Sequence, residues 1–338
     1  IDVTGCPSLA LNGPGLPLRE KQPLTPESKL CFTGSVSNPP DFKKFAVRCT
    51  ERFPNTYFVP QFIDDLRLMY LGIPHPDTAD SRVLHPTNLD HPVFVEDKAR
   101  FFINLPSMFA FNREMDFNYG TRIHGAIGNI LCGVPSLLFP THARIRELAE
   151  YHNIPAIPAS AVTPDTDLAA LYDQTDFRQV NNGHAERFWH LIDFLNENGI
   201  KTIYDDRTGT PARSLYDEKT AATSYAQPVH SMLVRPPEEI ARRVDTAVRL
   251  QRKEIEDDSR LATQLRDSQR KVTQLQERNK KQAAQIQALK EERKALKTEL
   301  KATKKPLRRL AWYQRTSTFG IGLARLKKKL RRLLGKEK

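Results

Sequence analysis

Apolar positions along this chain follow three regimes. In the first, short apolar runs alternate with stretches of helical period. Phe42, Phe45, Ala46 and Cys49 lie at i, i+3, i+4 and i+7, which predicts a helix from Asp41. Residues 56–60 read as a short strand and 62–70 as a helix. Residues 73–92, dense in Pro, His and Asp, read as a surface loop, 93–95 as a strand, and 97–110 as a helix broken near Pro106. A regular alternation follows: strand 115–119, helix 125–132 stopped by Gly133 and Pro135, strand 134–139, helix 143–151 and strand 154–157. Helices at 168–172 and 185–198 close the region, the last ended by Gly199. Residues 1–40 are rich in Pro and Gly and read as loop, with strands near 1–4 and 29–35. Such alternation predicts an α/β fold, a parallel sheet covered on both faces.

The second regime, 201–236, is polar and aperiodic and reads as a linker. The third is helical from Ile240 for about sixty residues. A heptad frame places Leu265, Val272, Asn279, Ile286, Arg293 and Leu300 at a, and Leu261, Ser268, Leu275, Gln282, Leu289 and Leu296 at d. Eight of these twelve are apolar, and Lys, Arg, Glu and Gln crowd the positions between. That pattern predicts a two-stranded coiled coil, a homodimer, with Asn279 favouring parallel strands in register. A single charged helix held by i,i+4 pairs is the other reading. Pro306 is expected to end the coil. Phe319, Leu323, Leu326, Leu330 and Leu333 then line one face of a second helix, surrounded by Lys327, Lys328, Lys329, Arg331 and Arg332.

Charge sharpens this division. The 338 residues carry a net +12, yet 301–338 hold fourteen Lys or Arg against Glu337 alone, a net +13. Subtraction leaves −1 for residues 1–300, so the body is nearly neutral and does not read as a nucleic-acid-binding enzyme. The tail 306–338 suits an anionic membrane surface, where each Lys or Arg near the surface adds about 1 kcal/mol. Trp312 and Tyr313 suit the headgroup level. A tail binding RNA or an acidic partner is the competing reading. Cys6, Cys31, Cys49 and Cys132 form no C-x-x-C pair and no zinc-type spacing with the nine histidines, so free thiols and no metal are expected. No signal peptide and no apolar run of roughly 18–20 residues is visible, which predicts a cytoplasmic protein, peripheral at the inner face of the cell membrane. The chain opens at Ile1 on a strand-like segment, and an N-terminal region is expected to precede it.

The candidate chemistry lies in Tyr119-Gly120-Thr121-Arg122-Ile123-His124-Gly125, between a strand and a helix of small residues. In open α/β sheets ligands sit beyond the carboxyl ends of the strands, where helix N-termini attract anions. The Arg122 guanidinium can grip a phosphate or carboxylate with two hydrogen bonds. His124, two positions on in an extended segment, would address the same ligand. Gly120 and Gly125 allow close backbone approach, and Thr121 lies between the two. Arg144 and Arg146 open the next helix, at the end where cations are disfavoured, which again suits an anion. The same residues also suit a core histidine, a structural ion pair and surface arginines near Glu147 or Glu150.

Gly120 to Ile127 followed by Cys132-Gly133-Val134-Pro135 resembles the R-x-H-G and A/C-G-V-P motifs of the polysaccharide pyruvyl transferase family. Arg144 to Tyr151 before Ile154-Pro155 is similar to that family's next helix, and Gly5-Cys6-Pro7-Ser8-Leu9 to its G-C-P-S turn. Residues 188–199 resemble the helix that closes the domain, so the likeness covers about 1–203. The resemblance implies a GT-B-like fold with a Rossmann-like parallel-sheet domain. It also implies transfer of the enolpyruvyl group of phosphoenolpyruvate onto a sugar of a cell-surface polysaccharide precursor, forming a pyruvate ketal with release of phosphate. Arg122 would bind the donor anion and His124 would be the acid, with no cofactor beyond the donor substrate. It further implies 1–40 as a remnant of an N-terminal lobe and 41–203 as the α/β domain, while period and charge give 204–239 as linker, 240–303 as coil and 306–338 as basic tail, an extension outside the family's common domain. The missing lobe leaves the activity of this chain alone in question. The alternatives are a GT-B-type glycosyltransferase using a nucleotide sugar, with Glu147 or Glu150 on the ribose, and a non-catalytic dimeric membrane tether.

Overall fold

The computed structural model describes residues 2–35, 38–75, 86–204, 207, 215–316 and 318–333. Much of the loop expected at 73–92, part of the expected linker and the tail end 334–338 therefore lie outside the described residues, as do the side chains of Tyr313, Phe319, Leu323 and Leu333. The chain divides into two compact units, Ile1–Arg252 and Lys253–Lys338.

The first unit is built on a parallel sheet of β1 (Leu30–Thr33), β2 (Thr56–Phe58), β3 (Phe117–Gly120) and β4 (Ser136–Leu138), in the order β2-β1-β3-β4. Every residue of β1 and β3 is buried, as central parallel strands require. Single parallel bridges extend both edges, Ala99 beside Phe58 and Ala156 beside Leu138. The strand expected at 154–157 is reduced to that one bridge, because Pro155 and Pro158 cannot donate to a ladder.

Among the described residues the helices of this unit are α1 (Pro40–Arg52), α2 (Ile63–Leu71), α3 (Pro92–Val95), α4 (Leu105–Asn112), α5 (Ile123–Leu131), α6 (Ala143–Tyr151), α7 (Leu168–Gln174), α8 (His184–Glu197) and α9 (Leu215–Thr220). Two expectations fail for local reasons. Residues 93–95 form α3 rather than a strand: Pro92 starts the turn and the His91 ring accepts the Val93 N–H at 3.2 Å. The helix expected from 97 begins only at Leu105, capped by Asn104, and Pro106 sits harmlessly in its first turn. Upstream, Ala99 and Phe101 are held in bridges to Phe58 and Val229.

One sheet face packs aromatic side chains: Phe32, Phe58, Phe117 and Tyr119 from the strands against Phe42, Phe45, Phe139, Tyr172 and Phe177. The Phe117 and Tyr172 rings meet edge to face at 4.8 Å. On the other face Ala126, Ile127 and Ile130 of α5 meet Leu9, Leu138 and Ile145.

Part of the segment read as a linker packs against the body, while 221–224 are exposed. Val229 bridges Phe101, His230 Nδ1 lies 2.9 Å from Asp97 Oδ1, and Met232 is buried. The long helix α10 (Pro237–Thr316) starts within this unit, its Arg243 guanidinium 4.0 Å from the Tyr70 ring centroid. In the second unit α10 continues past Pro306, where its end was expected, and α11 (Thr318–Leu333) follows. Among the described residues no helix is long and apolar enough to cross a membrane.

Candidate functional site

The strand order reverses between β1 and β3: β2 lies outside one and β4 outside the other. A reversal of this kind marks the place, beyond the carboxyl ends, where open α/β sheets bind ligands. Thr33, Gly34 and Ser35 leave β1 there, and Thr121 and Arg122 leave β3. The two strand ends are tied together, since the Thr33 carbonyl accepts the N–H of Thr121 at 2.9 Å and of Arg122 at 3.3 Å. This close approach requires glycine. A Cβ on Gly120 would fall 2.2 Å from the Thr33 carbonyl oxygen, and one on Gly125 would fall 2.6 Å from Thr33 Cγ2.

Arg122 is the N-cap of α5, and no side chain caps this helix. Ala126 is the first residue whose N–H finds its intrahelical acceptor, on Arg122. The N–H groups of Ile123, His124 and Gly125 precede that bond and carry the positive end of the helix dipole. Arg122 is half-buried. Its guanidinium stacks 4.2 Å from the Phe62 ring centroid, and Nε donates to Gln61 Oε1 at 3.4 Å. Burial pushes its pKa down from the ordinary value, and the charge of Asp65 opposes that push. Asp65 is itself 3% exposed. Burial pushes its carboxyl up to about 6, against the Phe62 N–H that it accepts and the charges of His75 and Arg122.

His124 turns elsewhere. The helix begins at Ile123, two residues earlier than expected, so the i, i+2 rule of an extended segment does not apply to Arg122 and His124. His124 is the one exposed residue of α5, and its Nε2 lies 3.8 Å from Cys6 Sγ. The expected shared face is therefore replaced by two flanks of one helix start: Arg122 leans on Gln61 and Phe62, His124 on Cys6. Thr121 is buried and its hydroxyl donates to Asn38 at 2.7 Å, so that side chain is committed to the protein. Arg144 and Arg146 are exposed in the first turn of α6, which follows β4 at the same sheet edge, and Arg146 lies 3.8 Å from Glu150. That surface pair contributes little.

Sequence reasoning missed Gln61, Phe62 and Asp65 as neighbours of Arg122, and Cys6 as neighbour of His124. The available signal for the first group was position alone, since 59–62 follow the carboxyl end of a strand. Gly5-Cys6-Pro7-Ser8 stood out only as a turn. A cavity of about 500 Å³ lies away from these residues, lined by Phe32, Ala46, Thr50, Glu51, His91 and Lys98 among others. Among the described residues no cluster of three or more His, Cys, Asp or Glu is placed to hold a metal ion.

No protein-family model matches the chain, and no curated protein matches it in sequence. Among solved structures it is similar to the glycotransferase of kitacinnamycin, at 19% identity over 54% of this chain and 42% of that one, with a TM-score of 0.27. It is also similar to the glycosyltransferase SnogD from Streptomyces nogalater, at 16% identity over 49% of this chain and 41% of that one, with a TM-score of 0.26. The chain thus spans about two fifths of the length of each of these structures.

Proposed function

We propose that this chain is the donor-binding part of a transferase that moves the enolpyruvyl group of phosphoenolpyruvate onto a sugar of a cell-surface polysaccharide precursor. One observation carries the reading: a half-buried Arg122 stands at the uncapped start of α5, at the carboxyl ends where the strand order reverses. Guanidinium and helix N–H groups there suit a doubly anionic donor. Ketal formation needs a proton at the methylene carbon, attack of sugar hydroxyls on the neighbouring carbon, and departure of phosphate. His124, exposed in the first turn of the same helix, is the proton donor in this reading, and Arg122 with the helix start stabilises the leaving phosphate. Arg144 and Arg146 add positive charge at the same sheet edge. The R-x-H-G and A/C-G-V-P motifs support the pyruvyl assignment at the level of sequence.

The second unit supplies placement. α10 pairs two copies through its heptad positions, and the basic face of α11 rests on an anionic membrane surface. The protein then works at the inner face of the cell membrane, close to lipid-linked acceptors. Deleting 301–338 is expected to release it from phosphatidylserine vesicles in a sedimentation assay, and continued binding would remove the tail as anchor.

Phosphoenolpyruvate is expected to raise the melting temperature of the chain, and Arg122→Ala to abolish that rise. With a glycan acceptor, phosphate release is expected to fall at least a hundredfold in His124→Ala, the scale of a lost general acid. A nucleotide-sugar glycosyltransferase is the second reading, favoured by the strand-order reversal, a place where open sheets also bind nucleotides. Stabilisation by a nucleoside diphosphate, with phosphoenolpyruvate inert, would put that reading first.

A further inference from the structure

We propose that Cys6 and His124 form a thiol–imidazole dyad, and that Cys6 is a nucleophile toward hydroperoxides and soft alkylating electrophiles, its sulfur being oxidised by the former to a sulfenic acid. The inference rests on the pair and its surroundings and does not depend on the transfer reaction.

The pair is tertiary, since 118 positions separate the two residues along the chain and Sγ stands 3.8 Å from Nε2. Its geometry is built by the end of α6. The Cys6 N–H donates to His152 Nε2 at 2.8 Å, and the Tyr151 hydroxyl donates to the Val3 carbonyl at 2.8 Å. Gly5 is left-handed at φ 68°, and a Cβ there would fall 2.4 Å from Tyr151 Cε1 and 2.5 Å from His152 Nε2. The turn is thus clamped with the Cys6 backbone N–H spent and its half-buried thiol left for His124.

The charged and titratable groups around the thiol come from three helices. His124 belongs to α5 and His152 caps the end of α6, while His184 and Arg187 of α8 line, with Cys6 and His152, one small cavity. Burial pushes His152 down to about 4, so it is neutral near pH 7, and lowers His184 from its ordinary value. The Cys6 thiol is lowered to about 7, chiefly by its hydrogen bond with His124, against burial and with help from Ser8. The other thiols differ in kind. Cys31, Cys49 and Cys132 are buried, and burial raises them, Cys31 to about 12 and Cys132 to about 11. A low-pKa, partly exposed thiol beside an imidazole at a helix start is the environment of a reactive cysteine.

In the oxidation the thiol proton passes to His124 Nε2 and the sulfur attacks one peroxide oxygen. The S–O bond forms, the O–O bond breaks, and the departing oxygen takes the proton from His124 and leaves as water or an alcohol. Sulfur loses two electrons and the peroxide gains them. With the other cysteines buried, reversal falls to an external thiol, two equivalents of which return Cys6–SH, a disulfide and water. The added oxygen lies against the His124 ring, so oxidation alters the one exposed side chain of α5.

The test uses the full chain and iodoacetamide at pH 6, read by peptide mass spectrometry. Cys6 is expected to react about fivefold faster than free cysteine, its larger thiolate fraction outweighing its weaker intrinsic nucleophilicity. Cys31, Cys49 and Cys132 stay unlabelled until denaturant is added. His124→Gln, a change at an exposed position, is expected to slow Cys6 about fivefold with the near-ultraviolet circular dichroism unchanged. Hydrogen peroxide followed by dimedone should mark Cys6, and Cys6→Ser should lose the mark. The dyad is overturned if Cys6 reacts no faster than free cysteine, or if the folded His124→Gln protein reacts at the original rate. Absence of a dimedone adduct on Cys6 would overturn the oxidation step. None of these readouts involves phosphoenolpyruvate, so they stand or fall apart from the transferase reading.

Discussion

Helices α5 and α10 carry apolar residues at the same helical period and reach opposite ends of the burial scale. In α5 every residue except His124 is buried, because glycines at 125 and 128 let the backbone close on Thr33 and Met108. In α10 Leu261, Leu265, Val272, Leu275, Ile286, Leu289, Leu296 and Leu300 are each more than half exposed. Period establishes that a helix forms and which face is apolar. It does not say what covers that face. In α5 the cover is the chain's own sheet, and in α10 it would be a second copy.

The largest expected effect separates the two directly. Phe117 is fully buried among Tyr119, Tyr172 and Phe177, so Phe117→Ala should cost about 4 kcal/mol in urea unfolding of the first unit. Next comes the glycine that lets α5 sink into the body. Gly125→Val pushes side-chain atoms into Thr33 and should cost about 3 kcal/mol. A cost below about 0.5 kcal/mol would show that α5 has slack the geometry denies.

Acid sharpens the picture of the buried body through two opposed titrations. His152, 4% exposed, has its pKa pushed down by burial from an ordinary 6.5 to about 4. The unfolded chain therefore binds the proton first, and this contribution, up to about 3 kcal/mol, is present above pH 6.5 and lost as pH falls toward 4. Asp65 moves the other way, raised by burial from 3.8 to about 6, so stability is lost as pH rises from about 4 to about 6. The two offset each other in their shared window. His152→Gln should leave stability that declines as pH rises between about 4 and about 6, and Asp65→Asn stability that climbs. Superimposable curves for all three proteins would refute both assignments.

The smallest effect on the body's stability is expected from the coil. Leu275→Lys with Leu289→Lys should leave the unfolding of the first unit within about 0.5 kcal/mol of the original, as for surface changes. The same pair should convert a dimer to a monomer in analytical ultracentrifugation. An unchanged sedimentation coefficient would favour the single charged helix.

Much of the fold was legible. The apolar positions of α1, the strands β1 to β4 and the glycine stop after α5 all announced themselves through period and turn residues. What misled were short segments. At 93–95 three apolar residues suit either a strand or one helical turn, and a histidine ring at the cap decided the matter. At 154–157 two prolines left one bridge of an expected strand. Pro306 reads as a stop, yet α10 carries on to Thr316. For the candidate site, the place of Arg122 and His124 just after a strand end was legible, but which neighbours their side chains meet was not.

Local patterns by themselves determined that this chain alternates strand and helix, then becomes a long charged helix, with its densest positive charge in the tail. These properties depend on residues within a few positions of each other, where backbone geometry and side-chain spacing act directly. Only the tertiary structure decided that Arg122 stacks on Phe62, that His124 meets Cys6, and that the supposed linker is held at Phe101 and Asp97. Those pairings join residues far apart in sequence, and they follow from strand order and from how closely a glycine lets two backbones approach, which no local period encodes.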